Sequence, residues 1–192
     1  LQPVAGVFQT YLVPNNHPDL NTRVKQVTDA VKLVYSSIFS NDARLNVSAM
    51  NYKIDEEKMA VVIQEVVGNQ YGSTFYPHIS GVAQSYNYYP FGHMKPEEGY
   101  AVIGVGLGKY VVDGEKAFRF SPVFQTIENN SAKDQFKNSQ VEFYAVDLNK
   151  KDLDLLEGDT AGLIRLDIDE AEEHGNLVDC ASVYNSMSYT IS

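Results

Sequence analysis

Gly99-Tyr-Ala-Val-Ile-Gly104-Val-Gly106-Leu-Gly108-Lys109-Tyr110-Val-Val-Asp113-Gly114 is the stretch on which the reading of this chain turns. An apolar run of strand character, residues 100–107, enters three alternate glycines, and a second short apolar run follows to Gly114. Glycine carries no Cβ, so glycines this dense at a strand end mark backbone that approaches something closely. That something is a phosphate-bearing ligand or another strand, and for strand glycines the second is the commoner answer. Two familiar phosphate loops are excluded by spacing. G-x-G-x-x-G is not met, and Lys109 is followed by Tyr110 where a Walker loop needs a Ser or Thr for magnesium.

On either side of this stretch, strands and helices are mixed. A glycine turn, Val4-Ala5-Gly6, leads into an expected strand from Val7 to Val13, and Pro14 to Pro18 break the chain. Asp19 is placed to cap a helix whose apolar positions, Leu20, Val24, Val27, Val31, Val34 and Ile38, recur in steps of four and three. A weaker helix is expected over 41–50. Met59 to Val67 reads as a buried strand, and the turn-rich residues 68–72 predict an antiparallel return over 75–86. An aromatic, proline-bearing loop covers 88–96. Further strands are expected at 116–121, 141–148 and 163–169, the last with Ile164, Leu166 and Ile168 on one face. Residues 125–140 are polar and read as a mobile connection, and 151–157 as a short helix. The elements lack a βαβ rhythm, so the fold class is α+β, mostly antiparallel sheet with flanking helices.

Composition narrows the possible partners. The 192 residues, 44% hydrophobic and 21% charged, suit one globular domain or a large piece of one. A net charge of −10 argues against nucleic acid, whose affinity for proteins comes mainly from Lys and Arg. The longest nearly apolar runs, 59–67 and 100–107, fall far short of a membrane span, and no basic amphipathic helix offers itself to a membrane surface. No secretory signal opens the chain, and Cys180 stands alone, so a cytoplasmic location is expected. The first residues, Leu1-Gln2-Pro3, read as those of an excised segment or processed product.

Most of the side chains with chemical potential favour a plain reading. His17, His78, His93 and His174 fall in separate segments without metal-ligand spacing. The acidic cluster of Asp167, Asp169, Glu170, Glu172 and Glu173 lacks the glycine and spacing of a calcium loop and reads as a solvated face. Cys180 has no basic neighbour to activate it. The tyrosine-rich loop 86–91 could stack on a planar ligand, although covering a core edge is the commoner role.

Several segments, taken in order, resemble the phosphoenolpyruvate synthase and pyruvate phosphate dikinase family. Val4 to Leu12 is similar to the family's Phe-Ala-Gly loop and following strand, and Val34-Tyr35-Ser36-Ser37-Ile38-Phe39 to a helix ending Trp-Ala-Ser-Leu-Phe. Gln64-Glu65-Val66-Val67 resembles Val-Gln-Lys-Met-Val, and Ser80-Gly81-Val82 matches Ser-Gly-Val. Gly106-Leu107-Gly108 with Val111 to Gly114 resembles Gly-Leu-Gly-Glu-Asn-Val-Val-Gln-Gly. The resemblance covers residues 4–122. It implies a nucleotide-binding region there, with 123–192 a weakly matched extension of the same domain.

The resemblance further implies a partial ATP-grasp-like domain binding ATP and Mg²⁺, which phosphorylates a histidine on a separate domain. That phosphohistidine exchanges phosphate with phosphoenolpyruvate or pyruvate on a third domain. Gly6 would lie over the phosphates, and Gln64, Glu65, Val66 and Val67 would face the adenine edge. Ser80 and Gly81 would line the cleft, and Gly106, Gly108 and Lys109 would cradle phosphate. These points would converge on one cleft.

No catalytic residue and no metal ligand is assigned within the chain. The family's Arg-Ser-Ser segment and upstream lysine, its Thr-Ser-His carrier and its barrel cysteine are not in this sequence. Its Gly-Glu-Asn reads Gly108-Lys109-Tyr110, an acid become a base. The rival expectation is therefore a degenerate module of the same fold that senses a nucleotide or binds protein. A third is an acidic domain using the tyrosine loop for a ligand.

Overall fold

The computed structural model describes residues 8–41, 43–45, 59–90, 92–123, 131–188 and 190–191. The class is α+β. Helices α1 (Leu20–Ser36), α2 (Lys109–Val112), α3 (Ala132–Lys137) and α4 (Ile168–Glu173) accompany nine strands. The strands are β1 (Asn69–Tyr71), β2 (Thr74–Tyr76), β3 (Ile79–Gln84), β4 (Tyr100–Val105), β5 (Phe118–Phe120), β6 (Glu142–Asp147), β7 (Leu163–Asp167), β8 (Tyr184–Asn185) and β9 (Thr190–Ile191). They form sheets of order β1-β2-β6-β7, β3-β4-β5 and β8-β9. The chain divides into two compact units, one of residues 1–67, 72–74 and 146–164, the other of 68–71, 75–145 and 165–192.

In the first unit α1 begins where the sequence places it. Thr22 donates its backbone N–H to the Asp19 carboxylate at 2.9 Å, satisfying one of the four N–H groups that a helix start leaves open. The Thr22 hydroxyl, donating to the same carboxylate at 2.9 Å, and then this N–H bond favour the charged form and lower the Asp19 pKa. The buried positions of the helix are Gln26 and Ala30, whereas Leu20 and Val24 are exposed. The apolar stripe is thus only partly covered. Gln26 is tolerated inside because its Nε2 donates to the Lys151 carbonyl at 2.7 Å. Ser37, Ile38 and Ala43 continue the buried line, joined by Leu155 and Ala161.

Three expectations are corrected in this unit. Met59 to Val67 form no strand, and Val62 and Val67 are 75% and 82% exposed. Residues 9–13 likewise join no sheet among the described residues. Among the described residues neither segment has a partner strand to close its ladder, and sequence pattern alone does not provide one. Residues 151–157 give only a 3₁₀ turn, Leu155–Glu157. The expected turn 4–6 and residues 42 and 46–50 of the second expected helix lie outside the described residues; residues 41 and 43–45 are helical.

The second unit holds the larger core. Tyr76 and Phe143 are fully buried, with ring centroids 4.7 Å apart. The Tyr76 hydroxyl meets His174 Nδ1 at 2.7 Å, and Tyr71 stacks on the same imidazole at 4.9 Å. Burial pushes the Tyr76 phenol up to about 12, so it stays neutral. Leu107, Tyr110, Ala145, Leu166 and Ala171 are buried with them.

Strand β4 runs antiparallel to β3 over Ile79↔Val105 to Gln84↔Tyr100, and antiparallel to β5 over Ala101↔Phe120 to Ile103↔Phe118. The return expected against 59–67 is made instead by β4. The polar stretch read as mobile contains α3, started by the Ser131 side chain accepting from Asp134 N–H; residues 124–130 lie outside the described residues. The strand expected at 163–169 ends at Asp167, because Ile168 opens α4; Leu163 and Leu166 are its buried members rather than Ile164 and Ile168. The acidic residues of α4 lie exposed, as a solvated face should.

Candidate functional site

The glycine-rich bend lies in the second unit, where β4 gives way to α2. Its three glycines have three different surroundings. At Gly106 the backbone is left-handed, φ +82°, and a Cβ would stand 2.7 Å from the Phe143 ring and 2.8 Å from the Tyr144 carbonyl oxygen. Here glycine is required by conformation and by the close approach of β6. A Cβ on Gly104 would come within 3.1 Å of Gln140 Oε1, tighter than ordinary contact. Gly108 differs from both. Its φ of −59° suits any residue, and a Cβ would meet only Ser80 Cβ, at 3.6 Å. Neither packing nor backbone geometry demands a glycine there.

Ser80 and Gly81 stand against this bend. Ser80 pairs with Gly104 and Gly81 with Ile103 across the β3–β4 ladder, and Ser80 Oγ donates to the Gly106 carbonyl at 2.6 Å. Leu107 N–H donates to the Tyr144 carbonyl at 2.9 Å. The bend is therefore pinned from both sides, as a preorganised loop must be if its backbone is to meet a ligand without rearrangement. Lys109 opens α2, and its Nζ lies 3.1 Å from the Asp113 carboxylate one turn on. Tyr110 is 2% exposed, and burial raises its phenol pKa. It fills core and offers nothing to solvent.

Ser80, Gly81, Gly106, Gly108 and Lys109 thus come together. Gln64, Glu65, Val66 and Val67 belong to the first unit, and Gly6 lies outside the described residues. Gln64 and Val66 border a groove of about 510 Å³, walled by Phe8 to Val13 and by Val27, Val31 and Val34 of α1. In the aromatic loop, Asn87 is buried, accepting from Arg119 Nη2 at 2.9 Å and Tyr89 N–H at 3.1 Å. Arg119 also lies over the Tyr100 ring at 3.9 Å. These bonds hold the loop to the sheet and leave Tyr88 and Tyr89 exposed.

Over residues 2–173 the sequence matches the family model of the pyruvate phosphate dikinase AMP/ATP-binding domain. The chain belongs to this family. The match continues past residue 122, where the motifs legible in the sequence end, through β6 and β7 to the end of α4. Searches of curated proteins and of solved structures return no match. Within the described residues no helix is long and apolar enough to cross a membrane.

Membership makes ATP the ligand to test against the bend, and the bend suits a phosphate: pinned backbone, an uncrowded Gly108 and an adjacent ammonium group. Mg²⁺ fits less well. Among the described residues no three His, Cys, Asp or Glu side chains converge on a point, and protonated Lys109 has no lone pair to give a metal. The signal missed was Gln140, a polar residue directly before an alternating strand that read as connection.

Proposed function

We propose that this domain binds ATP with its phosphates on the Gly106–Lys109 bend and so supports phosphoryl transfer to a histidine carried by another domain of its parent chain. Gly108 carries the reading: among the described residues it is the one of the three glycines whose missing side chain no neighbour crowds. Its backbone is left open to oxygen atoms that a Cβ would crowd. Ser80 and Gly81 line the same place. The family resemblance gives the Gln64–Val67 segment the adenine edge. Residues 1–122 supply the nucleotide contacts and 123–192 buttress them. Gly6 completes the loop over the phosphates.

The domain's contribution is placement and charge stabilisation; no covalent step runs through its own side chains. Phosphoryl transfer takes its magnesium with the nucleotide. The phosphohistidine domain and the domain binding phosphoenolpyruvate or pyruvate are the partners this function requires, and a cytoplasmic setting suits it.

A second reading is favoured by a specific observation. At the positions where the family has an acid and an amide, Lys109 is ion-paired to Asp113 and Tyr110 is core. A domain so altered would bind nucleotide as a sensor without turning it over. Calorimetric titration of MgATP into the chain, beside Gly108→Ala, tests both. Binding by the native chain and a loss of roughly tenfold, ~1.4 kcal/mol, in the variant is expected. Equal affinity in both would remove the phosphates from Gly108. ATP turnover in the parent chain then separates enzyme from sensor.

A further inference from the structure

Outside every motif that points to the nucleotide, one side chain grips the glycine bend directly. Gln140 is half-buried just before β6. Its Oε1 accepts the Val105 N–H at 2.8 Å, and its Nε2 donates to the Val105 carbonyl at 3.0 Å and the Glu142 carbonyl at 2.9 Å. Strand register explains why a side chain is found there. The β4–β5 pairing stops at Ile103↔Phe118, two residues short of Val105. Backbone groups of alternate strand residues face the same side, so Val105 reaches for a β5 partner that has already ended. A carboxamide, one acceptor and two donors in peptide-like geometry, replaces it. Gly104 leaves the room this needs, since its Cβ would press on Gln140 Oε1.

The consequence is local. Val105 is held by Gln140, the Gly106 carbonyl by Ser80 Oγ and the Leu107 N–H by the Tyr144 carbonyl. Gly108 and Lys109 follow immediately. We propose that Gln140 is the positioning residue of this nucleotide site, its carboxamide fixing the bend so that Gly108 and Lys109 are presented to the phosphates. This rests on the assignment of the bend to ATP phosphates. Gln140 touches no ligand itself; it acts through the backbone.

Chemistry makes the role specific. Gln140→Met keeps the length and loses all three hydrogen bonds. Gln140→Glu keeps length and shape, yet at neutral pH it sets a carboxylate against the Val105 and Glu142 carbonyl oxygens. Protonation returns one donor, and the two carbonyls raise the pKa at which this occurs. The test is calorimetric titration of MgATP into the full chain at pH 7.5 and pH 5, comparing native protein with both variants. Both variants are expected to bind at least tenfold more weakly at pH 7.5. At pH 5 the deficit of Gln140→Glu against native protein should shrink, and that of Gln140→Met should not.

Stoichiometry reports the folded fraction and Kd the site, so a loss of stoichiometry at unchanged Kd would make Gln140 a mere strut and overturn the proposal. Native protein that binds MgATP beside variants of equal Kd would overturn it alone. Native protein that gives no MgATP response would overturn the phosphate assignment and this role together.

Discussion

Residues 59–67 and 100–107 are the two longest nearly apolar runs of the sequence, and they end in opposite states. The second run becomes β4, laddered by β3 on one side and β5 on the other, and Gln140 continues the bonding where β5 stops. The first joins no sheet among the described residues, with Val62 and Val67 in solvent. Strand propensity is shared. What separates the runs, among the described residues, is whether a strand lies alongside to pair with their backbone groups. The same contrast holds within the bend at finer scale. Gly104 and Gly106 are small because neighbouring protein needs the space, whereas at Gly108 no atom of the described residues does.

Gly106→Ala should break the contrast most severely. A side chain there meets both a left-handed backbone and the β6 wall, and the two penalties together amount to about 3 kcal/mol. Denaturant unfolding would register this as a lower midpoint at unchanged slope. Gly108→Ala in the same assay should move stability by no more than about 0.5 kcal/mol, because its conformation and surroundings accept a methyl. Equal destabilisation by the two would show that Gly108, too, is a packing glycine. At the small end, Val62→Thr, on the exposed run, should change stability by less than about 0.5 kcal/mol. A loss of several times that would mean the 59–67 segment is covered after all.

Much of the fold was legible where signals were local. The α1 start at Asp19, the strand at β4, β6 and the solvated acid face of α4 follow from capping and from periodicity, whereas the partner of β3 does not. The misreadings share one cause. Alternation at 163–169 predicts one strand, but Ile168 turns into a helix with Asp169 and Glu170 in its first turn, an electrostatic preference that alternation does not see. Residues 125–140 look like linker by polarity, yet Gln140 is polar because it finishes a β-ladder.

The site was half legible in the same sense. Motif resemblance gathers Ser80, Gly81, Gly106, Gly108 and Lys109, and these do come together. The division of labour among the glycines depends on what β6 and Gln140 place beside them, which a single sequence does not show. Tyr110, a departure from the family pattern in sequence, is explained by its burial.

The central claim is that Gly108 and the residues flanking it receive the phosphates of ATP. Amide hydrogen exchange across the whole chain, with and without MgATP, tests it most directly. The account predicts slowing of roughly tenfold or more, about 1.4 kcal/mol of added protection, at the amides from Gly106 to Tyr110. MgATP binding that protects other segments and leaves those amides unchanged would contradict it.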